Sequence, residues 1–119
     1  MLLTHKINIP IYNQHVWIIV GDPYEAQDYL RDCYCGDYSF DPNSTNAICL
    51  HSGTVSWIWL AQDVTFAILV HELSHAVFDL MNDLGLDKSD QEAFCYLLEY
   101  LINECKDIFA IRMDPIKQV

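Results

Sequence analysis

The segment VHELSHA, residues 70 to 76, is an H-E-x-x-H motif inside a long apolar run, and it decides how the chain is read. On a helix, His71 and His75 lie one turn apart on the same face, so that both imidazoles can bind one metal ion. Glu72 lies about 100° round the helix axis from His71, where its carboxylate can reach a water on that metal. Two satisfied core histidines are the structural alternative. The motif predicts a helix with a metal-binding face.

A helix around the motif is predicted from Asp63 to about Leu84, and Gly85 is suited to end it. Apolar residues recur along it with helical spacing, which indicates one face packed in a core. This stripe consists of Phe66, Leu69, Val70, Leu73, Val77, Leu80 and Leu84. Further apolar residues flank the two histidines. A helix that is apolar on nearly every side is typical of the centre of a domain.

A last helix is predicted from the segment Ser89 to Glu92 as far as about Ala110. One stripe of this helix is apolar and predicts contact with the core: Phe94, Leu97, Leu98, Leu101, Cys105 and Ile108. The opposite stripe is polar or aromatic: Glu92, Tyr96, Glu99 and Asn103.

A catalytic zinc site needs a third protein ligand besides the two histidines, with the fourth position left open. If the two helices run antiparallel, a rise of about 1.5 Å per residue brings Glu92 within about 4.5 Å and Glu99 within about 6 Å of the level of His75. A longer first helix favours Glu99. Ser89 and Glu92 also match a capping box, which would occupy the Glu92 carboxylate instead. The spacing leaves both glutamates open.

The first half of the chain reads mainly as strands. Two hairpins and one short helix are predicted: strands 6–12 and 16–20, a helix from Tyr24 to Arg31 with Asp22 as its N-cap, a loop over 36–46, and strands 47–50 and 55–60. The predicted fold class is α+β, with a small twisted sheet packed on the motif helix and the C-terminal helix. At 119 residues the chain is expected to form one domain, 1–119.

Composition excludes some functions. The net charge of −11 disfavours binding to nucleic acids and to anionic membranes. No apolar run is long enough to span a bilayer, and the start of the chain does not read as a secretory signal. Five cysteines, an odd number, fit free thiols in a reducing compartment, so a cytoplasmic protein is expected.

The motif and the segment EAFCYL, residues 92 to 97, resemble the gluzincin class of zinc metallopeptidases and the small zincin-like peptidases of bacteriophages. The resemblance covers about Thr54 to Ile102. It implies a zinc ion held by His71, His75 and Glu92, with Glu72 as general base. It also implies that an edge strand, assigned here to Val55–Leu60, pairs with an extended peptide substrate, whereas an interior strand is the structural alternative for these residues. Many larger gluzincins have an aspartate where this chain has Tyr96.

This resemblance predicts a zinc-dependent peptidase that acts on a peptide or protein substrate. Zinc polarises the scissile carbonyl and acidifies its bound water, and Glu72 takes the proton of that water and passes it to the leaving amine. Tyr96 can donate a hydrogen bond to the tetrahedral oxyanion, and the alternative is a core or surface aromatic residue without a catalytic role. The alternatives are a catalytically inactive zinc-binding regulator, and a metal-free interaction module whose acidic surface binds a basic partner.

Overall fold

The computed structural model describes residues 2–10, 12–34, 40–87 and 89–112. Within them lie four strands and three helices, which confirms the predicted α+β class. The strands are β1 (Leu3–Ile9), β2 (Gln14–Val20), β3 (Ala47–Ser52) and β4 (Val55–Leu60). The helices are α1 (Pro23–Tyr34), α2 (Phe66–Asp83) and α3 (Gln91–Arg112). None of the helices in these ranges is long and apolar enough to cross a membrane.

The four strands form one mixed sheet in the order β1-β2-β4-β3. The hairpin pairs β1 with β2 and β3 with β4 are antiparallel, whereas β2 and β4 run parallel, with α1 and β3 between them in the chain. Strand β4 is therefore an interior strand, and the assignment of Val55–Leu60 to the edge is wrong. The edge beside the motif helix is β3. Burial explains this order, since consecutive residues Ile58, Trp59 and Leu60 of β4 are all buried and need cover on both faces.

Helices cover both faces of the sheet. On one face, Ala26 and Leu30 of α1 pack on Ile19, Leu50 and Trp59. On the other face, the apolar sides of α2 and α3 form the larger core with the inward residues of β1, β2 and β4. The sequence predicts a helix buried on nearly every side, whereas α2 packs one long side beneath the sheet and leaves the side with the motif histidines exposed.

Local hydrogen bonds fix where the helices begin. Helix α2 starts at Phe66, three residues after the predicted start, because the Thr65 side chain caps it by accepting from the Ile68 amide at 3.4 Å. It ends as predicted before Gly85, whose φ of 72° suits a glycine. Helix α3 is capped by Asp90, which accepts from the Ala93 amide at 3.0 Å.

The capping box expected from Ser89 and Glu92 is not formed. The Ser89 hydroxyl instead donates to Asp87 at 2.9 Å. Helix α1 is capped by Asp22, as predicted, but extends to Tyr34. The first strand lies earlier than expected, over Leu3–Ile9. Parts of two predicted segments, Ile11 and residues 36–39 of the loop, lie outside the described residues.

Candidate metal centre

The motif histidines converge at the exposed surface of α2. Their Nε2 atoms lie 3.2 Å apart, with the ring planes at 82° to each other. Two zinc–nitrogen bonds of about 2.05 Å at a tetrahedral angle would separate the nitrogens by about 3.3 Å. The same distance also permits a hydrogen bond between two neutral rings, with the donor set by the tautomer. The pair has the spacing that a tetrahedral ion requires.

The exposure of the pair follows from the helical phase. Leu69, Leu73, Ala76 and Leu80 are buried against the sheet, so the opposite side of α2 must face outward. His71 and His75 occupy that outward side and are exposed. Substrate or water can therefore approach both imidazoles directly, which excludes the reading of two satisfied core histidines.

Glu72 is a buried polar residue of the motif. Its side chain is largely buried, with 8% of the residue exposed, and it makes no hydrogen bond within the described residues. Burial raises the pKa of its carboxyl, and the neighbouring His71 and His75 partly oppose this rise. A carboxylate that is poorly solvated and has no hydrogen-bond partner is a better proton acceptor than an exposed one. Glu72 therefore has the environment expected of a general base.

A groove of about 520 Å³ opens beside this glutamate. One wall is the first half of α2, which contributes Ala67, Ile68, His71 and Glu72. The other wall is the segment Ser44–Ala47, which leads into the edge strand β3. The groove thus joins one motif histidine, the buried carboxylate and the start of an edge strand in one open cleft.

The third zinc ligand predicted from the sequence is not brought to this cleft. No group of three or more histidine, cysteine, aspartate or glutamate side chains suited to a metal ion occurs in the part of the chain that the structure describes. Glu92 and Tyr96 line a separate groove with Ile9, Pro10 and Tyr12 from the far end of β1. Glu99 is exposed on α3 and joins no such group either.

The reason is the rotation of α3 about its own axis. Its apolar stripe, which includes Leu97 and Leu101, packs in the core, and its Phe94 ring lies 4.9 Å from that of Phe78 on α2. The opposite stripe, with Glu92, Tyr96 and Glu99, must therefore face away from α2. A metal ligand on α3 must lie at the height of the histidines and also on the side of α3 that faces them. Helical rise gives the height only.

A second polar cluster, which was not predicted from the sequence, joins the edge strand to α2. His51 of β3 lies 2.7 Å from the Ser56 hydroxyl through Nδ1 and 2.6 Å from the Asp83 carboxylate through Nε2. The three residues have the composition of a serine hydrolase triad. Ser56, however, is 0% exposed, so no substrate can reach its hydroxyl. The cluster therefore connects β3 to the end of α2.

Cys49 lies two residues before His51 and faces the same helix. Burial, aided by Asp79 and Glu72, raises the pKa of its thiol to about 12. This thiol is therefore protonated at neutral pH and is a poor nucleophile. Alternate residues of a strand point to the same face, so Cys49 and His51 share a face of β3. This alternation is the sequence signal that could have placed the two residues together.

The comparisons with known proteins add no relative to this picture. Neither the models of protein families, nor the curated proteins, nor the solved structures match the chain. The resemblance to small zincin-like peptidases rests on the motif and on the segment at residues 92 to 97.

Proposed function

We propose that the protein is a zinc-dependent peptidase whose metal is held by His71 and His75. The convergence of their Nε2 atoms to 3.2 Å beside the buried Glu72 carboxylate is the observation that carries the proposal. A zinc ion at this place would supply Lewis-acid polarisation of a scissile carbonyl. The imidazoles offer the nitrogen donors that zinc favours, at a separation close to the tetrahedral value.

In this proposal Glu72 is the general base. It accepts a proton from the attacking water and delivers it to the leaving amine. Its partial burial supports this role, because a raised pKa brings the carboxyl closer to the range in which proton transfer in both directions is efficient. Glu72 follows a metal ligand in the chain and lies about 100° round the helix from it, and both residues line the same open groove.

The substrate in this proposal is an extended peptide that lies along β3. This strand is paired on one side, with β4, and no second strand of the described chain pairs with its other side. Its backbone can therefore bond to an added strand, which would supply affinity through the main chain. Ala47 at the start of β3 lines the same groove as Glu72, so a peptide on this edge would pass the motif.

We place this activity in the cytoplasm. Cys49, Cys95 and Cys105 are free thiols, which are typical of a reducing compartment.

The test combines metal content with turnover. Four proteins are purified without chelators, analysed for zinc, and assayed on a broad peptide library. They are the wild type, His75→Ala, Glu72→Gln and the control His5→Ala, which changes a histidine of β1. We expect zinc and cleavage in wild type and His5→Ala, neither in His75→Ala, and zinc without cleavage in Glu72→Gln. A lost general base costs about 10²–10⁴ in rate. Full zinc content in His75→Ala, or undiminished cleavage by Glu72→Gln, would overturn the proposal.

One observation favours a second candidate, a zinc-binding protein without peptidase activity. The described part of the chain supplies two convergent ligands rather than three, and two protein ligands hold zinc less tightly than a complete catalytic site. This candidate predicts reversible zinc binding through His71 and His75. It also predicts no cleavage of any library peptide by the zinc-loaded protein.

A further inference from the structure

A second groove lies beside β1, which is the other edge of the sheet from β3. It has a volume of about 530 Å³ and runs between the end of β1 and the outward face of α3. Strand β1 is the sheet edge farthest from β3. The nearly buried Ile9 and Leu97 give the groove an apolar floor. Tyr100 holds its walls together, since its hydroxyl donates to the Asn8 carbonyl oxygen at 2.9 Å.

Exposed aromatic rings border this groove. Tyr96 is 74% exposed and Tyr12 is 45% exposed, and they are two of the four large hydrophobic side chains that are exposed in the described chain. With Tyr100, three tyrosine rings line one groove. An exposed cluster of aromatic rings with a polar rim marks a binding surface more often than a random part of a surface.

The charge of the groove is one-sided. Glu92 is the one charged residue among the nine described residues that line it, and its carboxylate makes no hydrogen bond or ion pair within the described chain. Glu99 lies one turn along α3 from Tyr96, so the exposed ring has a carboxylate on each side along the helix. A cation placed over Tyr96 would therefore meet an aromatic face and two acidic side chains.

We infer that this groove binds a basic, apolar segment of a partner protein, with a lysine or arginine head at Glu92 and Tyr96. Cations bind over aromatic faces, and a nearby carboxylate adds Coulombic attraction. The apolar floor requires apolar side chains next to the cation, which a peptide with alternating residues supplies. The net charge of −11 attracts a basic partner over long range and repels a second copy of this chain.

The inference does not rest on the proposed peptidase activity. The groove at Glu92 shares no lining residue with the groove at His71 and Glu72. A partner can thus be bound at the β1 side while the motif stays open. If the motif proves inactive, the docking surface is unaffected.

The test measures binding of a short synthetic peptide in which lysine and leucine alternate, by fluorescence anisotropy with the full chain. Two reference peptides replace every lysine by serine or every leucine by glycine. The variants are Glu92→Gln, Tyr96→Ala and the control Asp32→Asn, an exposed acid on α1 across the sheet. We expect Glu92→Gln and Tyr96→Ala each to weaken binding by about three- to tenfold. Asp32→Asn is expected to change it less than about twofold.

Several outcomes would overturn the inference. Equal weakening by Asp32→Asn would mean that the overall charge, rather than the groove, attracts the peptide. Undiminished binding of either reference peptide would remove one half of the proposed chemistry. Amide NMR shifts on addition of peptide should cluster near Tyr12 and along the first turns of α3, and shifts confined to β3 and α2 would place binding elsewhere. A wild-type dimer that Tyr96→Ala converts to a monomer would identify a second copy as the occupant.

Discussion

Replacing Glu72 by glutamine should stabilise the fold while removing the proposed activity. The residue is only 8% exposed and its carboxylate has no hydrogen-bond partner within the described chain, so the folded state bears part of the desolvation cost of its charge. The raised pKa of Glu72 has the same cause. A neutral amide of nearly equal shape relieves this cost. A residue held at the expense of stability is typical of a functional site.

The expected size follows from the burial and the length of the chain. Burying a polar group without a compensating hydrogen bond costs about 1–3 kcal/mol, and the neutral amide retains part of this cost, so we expect a net gain of about 1 kcal/mol. The unfolding entropy of about 2.1 cal/mol/K per residue gives roughly 0.25 kcal/mol/K for 119 residues. The Tm should therefore rise by about 4 °C.

The assay is thermal unfolding at neutral pH in the presence of a metal chelator, so that bound zinc does not contribute to stability. The matched control is Glu99→Gln, which makes the same chemical change at an exposed helical position and should alter stability by less than about 0.5 kcal/mol. A Tm for Glu72→Gln that falls well below wild type would show that the carboxylate supports the fold. Equal Tm values for both variants would show that burial does not strain Glu72. Either result would contradict a desolvation cost at Glu72.

Three further predictions concern other parts of the structure. Because Glu92 lines a separate groove, Glu92→Gln and Glu99→Gln should both keep the zinc affinity within about twofold of wild type. Competition with a chromophoric chelator measures this affinity. A large loss for Glu92→Gln alone would restore Glu92 as the third ligand. The buried Cys105 thiol, with a pKa raised to about 12, should react with an aromatic disulfide on the order of a thousandfold more slowly than the exposed Cys95 near pH 8, and denaturant should abolish the difference. Trp59→Phe removes the buried indole N–H that donates to the Gly21 carbonyl oxygen at 3.0 Å. It should lower the free energy of unfolding, measured by urea titration, by about 2 kcal/mol. An unchanged urea midpoint would contradict that hydrogen bond.

The sequence by itself determined the local features of this protein. The period of apolar residues predicted α2 and α3, and Gly85 marked the end of α2, because these signals depend on neighbours within a few residues. The four-residue spacing of His71 and His75 was enough to predict their convergence, since one helical turn fixes their relative position. The exposure of both imidazoles did not follow from the sequence, because the apolar residues that flank them predict a partly covered face.

Long-range packing decided the rest. The parallel pairing of β2 with β4 made Val55–Leu60 an interior strand and moved the edge to β3, and no pattern within either strand specifies its neighbour. The contact of His51 with Asp83 joins positions 32 residues apart through a strand and a helix. The separation of Glu92 from the histidines depends on how α3 rotates against α2. The apolar stripe of α3 shows which side of the helix is buried. It does not show where the opposite side, with Glu92, points relative to α2 until both helices are packed on the sheet.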